Sequence, residues 1–179
     1  STLDDFTILE GSTIPTKEVL AEDSYELDKF CYSIQSDLGN HPNTCILPSG
    51  VTNSWTIDLT DTILTELNNS YGINTLIADT SLIPEGDYTI TYYSRDIAGN
   101  ESNPHTFVVT IENVLPSLIF SSDSTVITKG NNVIFSGSFT DPGLDDSNWT
   151  YTLSFGDGTS DVTGSTPVIG QILSNVSHQ

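Results

Sequence analysis

Residues 86 to 100 read Gly-Asp-Tyr-Thr-Ile-Thr-Tyr-Tyr-Ser-Arg-Asp-Ile-Ala-Gly-Asn. Tyr88, Ile90 and Tyr92 alternate with Thr89, Thr91 and Tyr93. Strict period-2 alternation of aromatic and β-branched residues is the pattern of a half-buried strand. A turn opens it at Pro84-Glu85-Gly86-Asp87, and a second closes it at Ala98-Gly99-Asn100. Another strand, Thr106 to Ile111, follows at once. Two such strands joined by a short turn predict the centre of an antiparallel sandwich.

The rest of the chain repeats this logic. Phe6, Ile8 and Leu9 can form a first, edge strand, with Pro15 at a break because proline cannot donate to a ladder. Residues 21 to 28 are acidic and read as a solvated connection. Residues 29–36 and 44–48 flank a polar turn and read as a hairpin. Trp55, Ile57 and Leu59 share one face of the next strand, where Trp55 reads as a core tryptophan rather than a sugar platform. The period then changes. Ile63, Leu64, Leu67 and Tyr71 fall on one helical face, with Thr60 or Asp61 as cap and Gly72 as stop. This predicts one short helix, against a turn-rich loop because Asn68-Asn69-Ser70 is poor helix material. Val114-Leu115-Pro116-Ser117 reads as a junction between domains at residues 1–114 and 115–179. In the second half Val133, Phe135 and Phe139 face inward on one strand, and Trp149, Tyr151, Leu153 and Phe155 alternate on another. The fold class expected is all-β: two sandwiches in tandem, the first with the helix.

Two family resemblances sit on these residues. Gly86 to Tyr92, followed by Asp96-x-Ala98-Gly99-Asn100, resembles the penultimate strand and turn of bacterial immunoglobulin-like repeats. That family implies a sandwich used as a spacer or adhesive unit in surface proteins. Phe135-Ser-Gly-Ser-Phe-Thr-Asp-Pro-Gly143, Asp145-Asp146 and Trp149-Thr-Tyr-Thr-Leu-Ser-Phe-Gly-Asp-Gly-Thr159 resemble the PKD domain over residues 117–179. The PKD pattern carries an Asp-Pro-Gly turn after its second strand and an aromatic before a Phe-Gly-Asp-Gly turn. In that pattern a segment like Ile172 to His178 leads into two further strands, which the 179-residue sequence does not include. The second domain is therefore expected to have an open core and an unpaired edge. At 25 cal/mol per Å2, a few hundred Å2 left open costs several kcal/mol. Either the sequence is a piece of a longer chain, or strands come from a neighbouring molecule. In the second case residues 1–20 are the expected donor, with Phe6, Ile8 and Leu9 filling the groove.

Charge and cysteine narrow the partners. The net charge is -20, with four Lys and Arg in all. Phosphate binding needs clustered cations, so nucleic acid is excluded as an expected partner. The two cysteines, Cys31 and Cys45, flank the polar turn of the hairpin, which predicts a disulfide. Closing a loop of about 15 residues stabilises by roughly 3 kcal/mol through loop-closure entropy. Zinc needs four ligands and only His41 lies nearby. A disulfide implies an oxidising compartment, so a mature piece of an extracellular or cell-surface protein is expected, without membrane insertion.

Candidate chemistry is sparse. Asp141, Asp145, Asp146 and Asp157 lie in two turns at strand ends. They can supply oxygen ligands to calcium, or make Asx turns to the backbone. Asp96 and Asn100 are a weaker second candidate. Sequons lie at Asn68, Asn100, Asn148 and Asn175, of which Asn68 is the most accessible if the source glycosylates. No Gly-x-Ser-x-Gly elbow or metal-type histidine spacing occurs, and no enzyme is expected. The reading is a non-catalytic structural or adhesive segment whose partners are neighbouring domains or copies of the same protein. The alternative is an accessory module of a secreted protease or polysaccharide hydrolase, touching cell-surface glycans. Exposure of Trp55, Trp149, Tyr92 and Tyr93 discriminates between them.

Overall fold

The computed structural model describes residues 3–40, 43–60, 79–144 and 146–179, and the chain divides into two compact units, Ser1–Asn113 and Val114–Gln179. The described residues are almost wholly strand and turn. The predicted helix lies outside them from residue 61 onward. Thr60, one of its two candidate caps, accepts a hydrogen bond at Oγ1 from the Lys17 backbone N–H, at 2.8 Å.

The first unit is organised on β7 (Gly86–Asp96), whose Tyr88, Ile90 and Tyr92 are all buried. It pairs antiparallel with β8 (His105–Glu112) on one side and β3 (Leu27–Ser36) on the other. The turn between β7 and β8 is closed by Asp96, which accepts the Asn100 backbone N–H at Oδ1 and the Asn100 amide at Oδ2. The start of β7 is pinned by Tyr88, whose hydroxyl donates to the Pro84 carbonyl at 2.6 Å. Tyr88 is 1% exposed, so the bond satisfies a phenol that burial would otherwise leave wanting.

β1 (Phe6–Leu9) adds to the outer edge of β8, but in parallel. Ile8 is buried and the Phe6 ring stacks on Phe107. The segment expected to be a loose donor arm is thus engaged in its own unit, because its apolar residues already have a core to enter. Residues 21–28, read as an acidic connection, hold the end of one strand and the start of β3, where Leu27 is buried. β2 (Glu18–Glu22) pairs with β6 (Ser54–Asp58), burying Val19 and Ala21 against Ile57 and leaving Glu18 and Glu22 outward. The glutamates masked a half-buried strand. At the far side of the sheet, β3 pairs with two short strands, β4 (Gly39–Asn40) and β5 (Thr44–Ile46). Cys31 and Cys45 face each other in register across β3 and β5 and are disulfide-bonded, as their placement in the hairpin predicted.

The second unit has two sheets. β10 (Val133–Thr140) lies between β9 (Ser117–Ser122) and β13 (Gly170–His178). β11 (Trp149–Leu153) pairs with β12 (Val162–Thr166). Only Phe139 and Leu173 among its described apolar side chains are fully buried, whereas Leu118, Ile119 and Phe120 remain 62%, 65% and 47% exposed. A closed sandwich packs such residues at crystal-like density. Here Leu118 and Phe120 border an open groove, and Ile119 lies on the opposite face of β9.

Candidate functional site

The two acidic turns lie in the second unit, at the end of β10 and the end of β11. Asp141 follows β10. Its Oδ1 accepts the Gly143 N–H at 3.0 Å, and its Oδ2 accepts the Trp149 indole N–H at 3.1 Å. The indole lies tilted against Phe139, 5.4 Å between ring centres. Asp141 therefore shapes the turn and ties the first residue of β11 to the end of β10. An Asp suits this because its short side chain reaches the backbone two residues on.

Asp157 shapes the turn after β11. Oδ1 accepts both the N–H and the hydroxyl of Thr159, at 3.0 and 2.6 Å. Gly156 and Gly158 flank it at φ 76° and 87°, a left-handed backbone that a side chain resists. Oδ2 lies 2.8 Å from His178 Nε2, at the end of β13. The His178 ring is stacked on Phe155, with centroids 3.8 Å apart and planes 3° from parallel. The Thr159 hydroxyl, then its N–H, then His178 hold the Asp157 carboxyl well below the usual carboxylate range. The histidine and carboxylate join the β11 turn to β13. Thr159 occupies the other carboxylate oxygen, and Phe155 stacks on one face of the ring.

This geometry bears on the expected ion. Calcium takes six to eight oxygen ligands. Both oxygens of Asp141 and of Asp157 are engaged by N–H and O–H donors of different residues. Both carboxylates are therefore already bound into the turns they shape, with or without an ion. Asp146 is partly buried, and Asp145 lies outside the described residues. In the first unit, the Asn100 side chain is the main cause that lowers the Asp96 carboxyl below its ordinary value. That pair too is accounted for by the turn it closes.

The sequons separate on the same evidence. The Asn100 amide nitrogen lies 2.7 Å from the buried Asp96, so a sugar there would crowd the turn. Asn148 and Asn175 are exposed and hold φ of 62° and 54°. Asn68 lies outside the described residues.

The four aromatics that discriminate the two functional readings are each placed. Tyr92 is 2% exposed and stacks on Phe30, its hydroxyl pushed up by burial. Trp55 packs, partly buried, against the core of the first unit. Tyr93 is partly buried and its hydroxyl accepts from the Asn43 amide at 2.8 Å. Trp149 is held by Asp141 and Phe139, as above.

The feature that reading the residues one by one does not locate is the groove itself. It opens between the β9–β10–β13 sheet and the β11–β12 hairpin, with a volume of about 480 Å3. Leu118, Phe120, Phe139, Trp149, Tyr151 and Leu153 line it. The period-2 pattern marked the β10 and β11 members of this set as inward-facing. It carried no information on whether anything would face them. No family model matches this chain, and no curated protein matches it.

Proposed function

We propose that the chain is a non-catalytic structural or adhesive segment of a secreted or cell-surface prokaryotic protein, built from an immunoglobulin-like sandwich and a PKD-like one. The observation that carries this reading is the central sheet of the first unit. Its β8–β7–β3 order, and a tyrosine near the start of β7 bonded to the backbone four residues upstream, correspond to the last-strand sheet and tyrosine corner of immunoglobulin-like domains. The Cys31–Cys45 disulfide supports an oxidising compartment. Among the described residues, no helix is long and apolar enough to cross a membrane. Asp96, Asp141, Asp157 and His178 are engaged in shaping turns, which supports a mechanical role over a catalytic one.

A spacer is favoured over a glycan-contacting module by the placement of Tyr92 in the core and of Trp55 against it. Sugar platforms present aromatic faces to solvent. Calcium is not part of this reading, because Asp141 and Asp157 are accounted for without it. Affinity electrophoresis through gels cast with plant, bacterial and animal polysaccharides tests the choice. The spacer reading expects no retardation in any gel. Retardation of the native protein that Trp55→Ala or Trp149→Ala abolishes would replace it with the glycan-contacting module.

A further inference from the structure

We propose that the loop end of the first unit is a docking surface for a basic protein segment. Tyr25, Val51 and Ile97 are its apolar anchors, and Asp23, Glu26 and Glu101 its acidic rim. The inference goes beyond the structural reading and stands on the first unit alone, so either can fail without the other.

The surface is built from three connections that are bonded to one another. Tyr25 lies between β2 and β3, Val51 between β5 and β6, and Ile97 between β7 and β8. The Asp23 N–H donates to the Asn53 carbonyl at 3.0 Å, and the Leu27 N–H to the Thr52 carbonyl at 2.8 Å. The Ile97 N–H donates to the Glu26 carbonyl at 3.0 Å. Residues 23–27 thus tie the other two loops into one surface. Each flank is also fixed from within. Asp23 Oδ1 accepts the Tyr25 N–H at 2.9 Å, and Asp96 accepts the Asn100 N–H. A surface set in this way loses little freedom on binding. The link to the second unit does not cross it. Gly86 pairs with Ile111, so β8 runs away from Ile97 and the chain leaves from the other end of the sheet.

Tyr25, Val51 and Ile97 are between 61% and 83% exposed. Apolar side chains exposed singly are ordinary, but three on loops bonded together are not. Leu27, on the same connection as Tyr25, is buried, so the core begins directly beneath and these three lie outside it. Binding residues gather on loops held by a rigid scaffold.

Charge decides the occupant. Lys29 and Arg95 are opposed in register on β3 and β7, and Arg95 is ion-paired with Asp28 at 2.6 Å. The rim acids therefore set the sign of this end. A second copy brings the same acids and a net charge of -20, and is repelled. A lipid surface would have to admit Asp23 and Glu26 along with Tyr25, which is costly. Nucleic acid is repelled by the same field. A basic segment carrying an aromatic or aliphatic residue answers both the anchors and the rim.

The test is selection of a random dodecapeptide display library on the full chain in about 0.15 M NaCl. Counter-selection uses Y25S/V51S/I97S, whose exposed positions should leave the melting temperature unchanged. If that variant melts lower, Val51→Ser, at the most exposed of the three, takes its place. The expected peptides have net positive charge and at least one aromatic or aliphatic residue. They should bind the native protein about tenfold or more tighter than the variant. E26Q/E101Q should weaken the same peptides about threefold or more, and that loss should shrink as salt is raised. Absence of any discriminating peptide, discriminating peptides that are neutral or acidic, or indifference to E26Q/E101Q would each overturn the proposal. So would a doubled mass in sedimentation equilibrium that the serine variant loses, which would give the surface to a second copy. Co-sedimentation with phosphatidylcholine vesicles, lost in the same variant, would give it to a membrane.

Discussion

Asp96 and Asp157 show how single side chains hold this fold at its turns. Each carboxylate is stabilised in its charged form by nearby donors, so each has a folded-state pKa below its unfolded value. The sign follows directly. The stability each contributes is fully present above the ordinary carboxylate pKa near 4, and it is lost as pH falls through the depressed folded value. Melting temperature should be flat from pH 7 to about 5 and should fall below about pH 4. Asp157→Asn should melt lower than the native protein at pH 7 and show a shallower acid loss in the transition of the second unit. Asp96→Asn should do the same for the first. A variant whose melting curve runs parallel to the native one from pH 7 to 2.5 would show that its carboxylate contributes no pH-dependent stability. Asp in an Asp-Pro-Gly or Gly-Asp-Gly run is a legible turn-former. The second partner of Asp141 was not legible, because the Trp149 indole is a donor that only folding brings near.

At the scale of elements, β5 is the most exposed to a test. It is three residues long, pairs only with β3 among the described residues, and contributes the partly buried Ile46 to the core. Such a strand has little to hold it besides the disulfide. Replacing both Cys31 and Cys45 by Ser should cost the first unit about 3 kcal/mol by urea unfolding. Amide exchange at Thr44–Ile46 should become fast while Tyr88–Tyr92 keep their protection. Equal loss of protection across β7 would instead mean that the disulfide holds the whole sheet. Elements with clean alternation, β7 and β8 above all, were legible because their period and their burial agree. β2 was not. Glu-Val-Leu-Ala-Glu alternates too, but Leu20 faces outward and Ala21 is a weak apolar signal between acids. The parallel addition of β1 to β8 was also hidden, because it joins residues about a hundred positions apart and no local pattern encodes the partner.

For the whole molecule the dominant quantity is the net charge of -20. Added salt should stabilise it generally by screening, and any specific ion must act above that background. Because Asp141 and Asp157 are already satisfied, 5 mM calcium should raise the melting temperature no more than magnesium at equal ionic strength. A calcium-specific rise would reveal a site and reverse that assignment by mass action. The sequence by itself determined the all-β class, the strands with strict alternation and the cysteines that a hairpin would join. These follow from local geometry, since side chains two apart share a face and residues across a short turn meet. Only the tertiary structure decided that residues 6–9 belong to their own sheet, that His178 meets Asp157, and that the apolar face of β11 borders an open groove. Each of those depends on which surfaces distant segments bring together, and burial there is set by the presence or absence of a neighbour that no local pattern specifies.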